Sequence, residues 1–157
     1  MKVECRCIGK TDSEYLKAGL AVYCNRLVHY VPFEFVVLGD VKNGGTMARD
    51  ILRQKEGELI LSKLNKEDML ILLDEHGFEF DSVQFASFLE NKMSGGVKKI
   101  VFQIGGAYGF SEEVRNRANF SLSLSKMTFS HQMVRLFFCE QLYRAFTIIK
   151  KEKYHNP

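Results

Sequence analysis

The sequence lacks most of the features that betray function at once. Its 157 residues contain no apolar run near the roughly 18–20 residues of a membrane span, no internal repeat and no low-complexity tract. A helical membrane protein and a repeat architecture are therefore excluded. The opening segment MKVECRCIGK alternates like a strand and has no apolar signal-peptide core, so no export signal is expected. The four cysteines, Cys5, Cys7, Cys24 and Cys139, show no C-x-x-C spacing and no clustered histidines. A metal site is not expected, because structural zinc wants paired ligands at short spacing. Cys5 and Cys7 lie two apart on a strand and share one face, which fits reduced core cysteines in a cytoplasmic protein.

Size and composition, with 46% hydrophobic and 26% charged residues, suit one globular domain over 1–157. A chain this long buries roughly 68–70% of its unfolded surface and needs no staples. The net charge of +3 identifies no partner, but its distribution is uneven. Residues 1–97 carry 12 Lys and Arg against 15 Asp and Glu, whereas residues 98–157 carry 10 against 4. A basic C-terminal portion hints at an anionic partner.

Apolar runs alternate with helical patterns along the chain. VECRCI, FEFVVL, MLILL and KIVFQI read as strands; MLILL is wholly apolar and KIVFQI reads as fully buried, as in a sheet covered on both faces. FSLSLS alternates as a fifth. Thr11, Asp12 or Ser13 is placed to cap a helix running to about residue 29, and Asp81 or Ser82 to cap another to about residue 93. A polar-rich helix is expected over 46–64, a short one at SEEVRNRA and a long one over 130–151. GDVKNGG and DEHGFEFDS read as loops. Such alternation predicts an α/β fold with a mostly parallel sheet flanked by helices. Ligands then bind at the carboxyl ends of the strands, which directs attention to Leu73-Asp74, Ile104-Gly105 and Leu124-Ser125.

The stretch IGGAYGF places Gly105, Gly106 and Gly109 straight after a buried strand. Glycines there let backbone approach a ligand or close a tight turn. The dinucleotide pattern G-x-G-x-x-G is absent, and no Lys-Ser/Thr pair follows, so a P-loop is excluded. The helix after the turn opens with Glu112 and Glu113. Those carboxylates complement the helix dipole and would repel phosphate at that terminus. Pattern alone still leaves a nucleotide-dependent oxidoreductase and a non-enzymatic RNA-binding module as alternatives. The first requires binding of a phosphate-bearing dinucleotide, the second RNA binding without a cofactor.

The segment LSLSKMTFSHQMVRLFFCEQLYRAF, residues 122–146, ends in a helix apolar nearly all round, as a helix buried in a core and a subunit interface would be. Glu140, Arg144 and Thr147 recur on it as a polar stripe, with Glu140 and Arg144 an i, i+4 pair. His76 reads as a surface residue, and His29 and His131 as structural ones. Together with IGGAYGF, KEGE at 55–58, LLDEHG and the terminal Tyr154-His155, this segment closely resembles the ribosomal RNA large subunit methyltransferase H family, of the SPOUT class. The resemblance runs end to end.

It implies a SPOUT-type α/β knot with a C-terminal trefoil knot, a homodimer, and S-adenosyl-L-methionine as cofactor. The implied activity is methyl transfer to N3 of a pseudouridine in large-subunit (23S) rRNA on the assembled ribosome. The family's cofactor positions fall on Leu73, Gly105 and the run Leu124, Ser125, Lys126, Met127, Thr128 and Phe129. The tail residues Tyr154 and His155 become candidates to remove the N3 proton, with Arg144 holding the developing anion or a phosphate and Glu140 orienting it. Two departures stand out. Ser130 replaces a common proline and can cap the last helix instead. Phe78 follows Gly77 where a basic residue is common, which touches an RNA or partner contact rather than the cofactor site.

With no room for a separate RNA-binding domain, rRNA must be held largely by charge. Affinity for ribosomal RNA should therefore fall steeply between low and moderate salt, roughly as the counterions released by several phosphate contacts. A titration at two salt concentrations checks this, and a flat response would overturn the charge argument.

Overall fold

The computed structural model describes residues 1–157. The chain runs β1 (Lys2–Ile8), α1 (Glu14–Leu27), β2 (Phe33–Leu38), α2 (Arg49–Ser62), β3 (Met69–Glu79), α3 (Ser82–Ser94), β4 (Lys99–Ile104), α4 (Glu112–Arg117), β5 (Phe120–Ser123) and α5 (Met133–Ile149). The five strands form one sheet in the order β2-β1-β4-β3-β5, and every pairing is parallel. A parallel sheet needs helices on both faces, and strand alternation supplies an apolar row to each. Val3, Cys5 and Cys7 of β1 and Ile100, Phe102 and Ile104 of β4 face a core shared with α1, α3 and α5. Ile8, Val101, Leu70 and Leu72 face a smaller core closed by Ile60 of α2 and Val114 of α4. The cysteines are free, and burial pushes the Cys7 thiol up to about 11.

Local signals act largely as expected. Asp81 caps α3 in a reciprocal capping box with Gln84, at 2.7 and 2.8 Å. Ser130 accepts from the Met133 amide at 3.0 Å and so closes the turn before the last helix, whose own N-cap position falls on Gln132 without a side-chain cap. Four details differ. Ser13 occupies the first N-cap but makes no side-chain cap there. The segment DEHGFEFDS is not wholly a loop. Leu73 and Phe78 both pair with Leu122, so residues 74–77 bulge out before β3 resumes to Glu79. Gly77 permits this, since a Cβ there would lie 2.7 Å from the Ser121 backbone. Finally, Thr147 is not part of a surface stripe. It is fully buried, and its hydroxyl bonds back to the Arg144 carbonyl at 2.6 Å. His29 lies exposed beyond the end of α1 rather than in the core.

The strongest tie between the ends of the chain is Arg135. Its side chain is fully buried near the start of α5, with no carboxylate partner. Nη1 donates to the Gly9 carbonyl at 2.8 Å and to the Thr11 hydroxyl at 3.2 Å, and Nη2 to the Ile8 carbonyl at 2.9 Å. Nε donates to the His131 carbonyl at 3.0 Å. A buried charge is tolerated when its donors are satisfied, and these bonds satisfy it with backbone dipoles. Arg135→Met removes the donors while keeping length, so the buried Ile8 and Gly9 carbonyls and the half-buried His131 carbonyl lose their charged donor. It should cost about 3 kcal/mol, or about 6–12 °C in Tm for a chain of this size. Thermal denaturation checks this, and Arg135→Lys should not restore the loss because an ammonium cannot span the same acceptors.

Candidate functional site

A cavity of about 690 Å³ opens at the carboxyl ends of β3, β4 and β5. Leu73 and Asp74 come from β3 and its bulge, Ile104 and Gly105 from β4, and Leu122 and Leu124 from β5 and the loop beyond. Val134 of α5 closes one side, and Arg49 and Arg53 of α2 stand at the rim. The volume is that of an ordinary small-molecule site.

The glycine turn forms one wall. Gly109 donates to the Gly106 carbonyl at 3.2 Å, and Gly109 has a φ of +78°, which favours glycine. Gly105 lines the cavity, but the Cβ it lacks would press on Phe110 at 3.2 Å. Its smallness therefore also serves packing behind the wall. Ser111 accepts from the Val114 amide, and Glu112 and Glu113 fill the first turn of α4. The acidic helix start expected from the sequence is in place.

The opposite wall is the loop over 124–129. Ser123 Oγ donates to the Ser125 carbonyl at 2.8 Å, and Ser125 Oγ accepts from the Met127 amide at 3.0 Å. The Thr128 hydroxyl donates to the Glu75 carboxylate, tying this loop to the β3 bulge. Leu124, Ser125, Met127, Thr128 and Phe129 line the cavity together with Leu73 and Gly105. Lys126 belongs to the same loop, but it is exposed and does not line the cavity.

A family model described as "Predicted SPOUT methyltransferase" matches residues 1–155. The ribosomal RNA large subunit methyltransferase H of Christiangramia forsetii is 52% identical over 156 residues, 99% of each chain. The protein of that name from Parabacteroides distasonis is also 52% identical, over 99% of each chain. The chain belongs to the ribosomal RNA large subunit methyltransferase H family, within the SPOUT methyltransferases. A solved ribosomal RNA small subunit methyltransferase E from Neisseria gonorrhoeae, bound to S-adenosyl methionine, shares 13% identity. It covers 94% of this chain and 66% of its own at a TM-score of 0.43, too distant to bear on the site.

The second constellation of this SPOUT chain lies elsewhere on α5. Arg144 Nη2 donates to Glu140 Oε1 at 2.5 Å, and Tyr154 Oη donates to the same oxygen at 2.9 Å. Arg144 Nη1 contacts His155 Nδ1 at 3.3 Å, and its guanidinium lies 4.9 Å from the Tyr154 ring centre. Arginine can only donate, so in this contact Nδ1 is the acceptor. The tail is thus folded back rather than loose. Lys151 adopts a φ of +59°, the Glu152 amide bonds the Thr147 carbonyl, and the Lys151 amide bonds that of Ile148. This is a Schellman turn with lysine in the position that glycine usually takes. Tyr30 Oη then donates to Glu152 at 2.6 Å, and Tyr143 packs edge-on against Tyr154. Burial, the Tyr23 side chain and Glu140 all raise the Tyr154 phenol above its usual range. None of Glu140, Arg144, Tyr154 and His155 lines the cavity.

Other groups line the cavity that the sequence did not mark as site residues with a role. Asp74 lies on the cavity wall and pairs with Arg115 of α4. Its visible signal was only its place at a strand end. His76, at the surface as expected, and His131 also line the cavity. Arg49 stacks on Tyr108 with 5.1 Å to the ring centre. No helix is long and apolar enough to cross a membrane, and no three His, Cys, Asp or Glu side chains converge on a metal position.

Burial raises the Asp74 carboxyl, but the His76 amide and the Arg115 guanidinium outweigh it and hold the group below the usual range. A lowered folded-state value contributes stability above the unfolded value of about 3.9, which is lost as pH falls through the folded value. Asp74→Asn should therefore be less stable than the native chain at pH 7 and lose less stability below about pH 4. Acid denaturation of the two proteins measures this, and parallel curves would remove the pair from the account.

Proposed function

We propose that this protein is an S-adenosyl-L-methionine-dependent methyltransferase acting on N3 of a pseudouridine in large-subunit (23S) rRNA, as a cytoplasmic homodimer working on the assembled ribosome. The observation that carries the reading is the cavity built from Leu73, Gly105 and the 124–129 loop, in a chain matched over its whole length by that methyltransferase family. The donor set fits a phosphate-free cofactor. Leu73, Leu124 and Met127 offer apolar walls for an adenine, the turn and loop offer backbone groups, and Asp74 brings negative charge toward a sulfonium. Glu112 and Glu113 oppose a phosphate, which counts against a dinucleotide. When bound, the cofactor supplies a methyl group activated by its sulfonium charge.

The chain's own task is to align the acceptor and take the N3 proton, since the deprotonated imide is the nucleophile. Tyr154 holds its proton against Glu140 and is a poor base in this arrangement. His155 is the better candidate, but its Nδ1 lone pair is engaged by Arg144. RNA arriving with a phosphate or an incipient imide anion draws the guanidinium away, and Nδ1 is then free to accept the proton. Glu140 keeps Arg144 within reach throughout.

Arg144 lies ten residues beyond Val134 on α5, or about 15 Å along the helix. One copy's tail is thus remote from its own cavity. Phe129, Met133 and Phe137 leave 37 to 43% of their surface exposed at the cavity end of α5. A second copy seated on that face would cover these apolar side chains and bring its tail to the first copy's cofactor. The C-terminal segment, which returns between α1 and α3 and is bonded to the end of β1, is read as the threaded part of a trefoil knot. Arg49 and Arg53 at the rim add cationic reach toward RNA from the otherwise acidic N-terminal portion.

Removal of residues 154–157 should leave S-adenosylmethionine affinity within about twofold by calorimetry while lowering methyl transfer by about 10²–10⁴-fold. Transfer is measured on intact ribosomes, isolated subunits and naked rRNA. Normal transfer by the truncated protein would refute the role of the tail, and no transfer by the full chain to any of the three would refute the activity.

A further inference from the structure

The KEGE segment of α2 contains a group that neither the cavity nor the tail uses. Glu56 is 6% exposed, and its Oε2 has no hydrogen-bond partner. That oxygen lies 2.1 Å from where a Cβ on Gly106 would stand. The next residue, Gly57, sits in the same way under Ser111, whose Oγ would be 2.3 Å from its Cβ. Two consecutive residues of α2 therefore meet both ends of the turn between β4 and α4. Gly106 lines the cavity, whereas Glu56 does not, so the carboxyl supports the wall from behind.

We propose that Glu56 is a positioning residue for cofactor binding: its buried carboxyl, occupying the place of a Gly106 side chain, fixes the turn that presents Gly105 to S-adenosylmethionine. The inference rests on the methyltransferase reading above. Shape alone would be served by an apolar side chain of similar length. A carboxyl adds hydrogen-bonding capacity beneath a turn whose backbone groups must be aimed, in a layer where leaving it unused is unfavourable. Burial, with the Asp40 carboxylate as a second cause, raises the Glu56 carboxyl toward its neutral form. In that form it has a proton to donate as well as an oxygen to accept.

Glu56→Gln retains a donor and an acceptor, whereas Glu56→Met retains only the volume. The cofactor Kd, measured by calorimetry with S-adenosylmethionine, should stay within about threefold of native for Gln and rise about tenfold or more for Met. KM for the cofactor should follow Kd, with kcat at saturation unchanged, and Gln should restore what Met loses. Gly106→Ala should weaken binding comparably by forcing the carboxyl and turn apart, and adding Glu56→Ala to it should recover affinity. That pair of variants decides the matter if Glu56→Met does not fold. Native-like affinity in folded Glu56→Met or in Gly106→Ala overturns the inference, as does a loss confined to kcat. Wild-type protein that takes up no S-adenosylmethionine would instead overturn the methyltransferase reading on which the inference rests.

Discussion

A single buried guanidinium holds the two ends of this fold together. The end of β1 and the start of α5 are more than a hundred residues apart in sequence, and Arg135 bonds the carbonyls of Ile8, Gly9 and His131 at once. A carboxylate in its place of contact would give a stronger pair but would be a second charge to desolvate. Backbone carbonyls are already present at a strand end and need partners in any case, so one side chain satisfies acceptors that would otherwise be orphaned. The consequence reaches the cavity, because His131 lines it and the 124–129 loop leads directly into it. The position of that wall follows from where Arg135 anchors the helix behind it.

The same constraint explains why short hydroxyl residues crowd this loop. A segment held at one end by β5 and at the other by Arg135 has few backbone partners of its own. Ser123 and Ser125 supply them through side-chain bonds, and Thr128 ties the loop to the Glu75 carboxylate in the β3 bulge. The bulge in turn requires Gly77, where the chain passes against the Ser121 backbone. The cavity walls are thus coupled to each other, and no one of them is an independent loop.

Some of this was legible in the sequence. Phe33–Leu38 and Lys99–Ile104 fall where FEFVVL and KIVFQI stand, because short apolar runs between turn residues leave no competing period. The return of β3 after DEHG was not legible, since four polar or flexible residues erase the alternation that marks a strand. The bond from Ser130 to the turn before α5 could be reasoned from its hydroxyl, but the start of the helix at Met133 could not. Arg135 could have been suspected, as a charge in the midst of an apolar helix, but its acceptors are set by tertiary structure alone. The acidic start of α4 was readable from Glu112 and Glu113. Glu56 was not, since a glutamate in a polar-rich helix has no local mark of burial. The cofactor positions and the tail came from resemblance to a family, not from periodicity.

The distance between cavity and tail carries the last step. The cavity lies at the carboxyl ends of β3, β4 and β5, and α5 runs away from it. The tail is nevertheless ordered at some expense: Lys151 takes a left-handed backbone that glycine would adopt more readily, Tyr30 holds Glu152, and Tyr143 and Glu140 hold Tyr154. A tail with no function beyond its own chain needs no such fixing. Its polar groups converge on Arg144, a cation with a planar set of donors that suits an oxyanion, while the apolar face near the cavity stays uncovered in one copy. Both features fit the proposed homodimer, in which each copy would lend its tail to the other's cavity. A two-fold pairing of that kind would create two such sites with one interface.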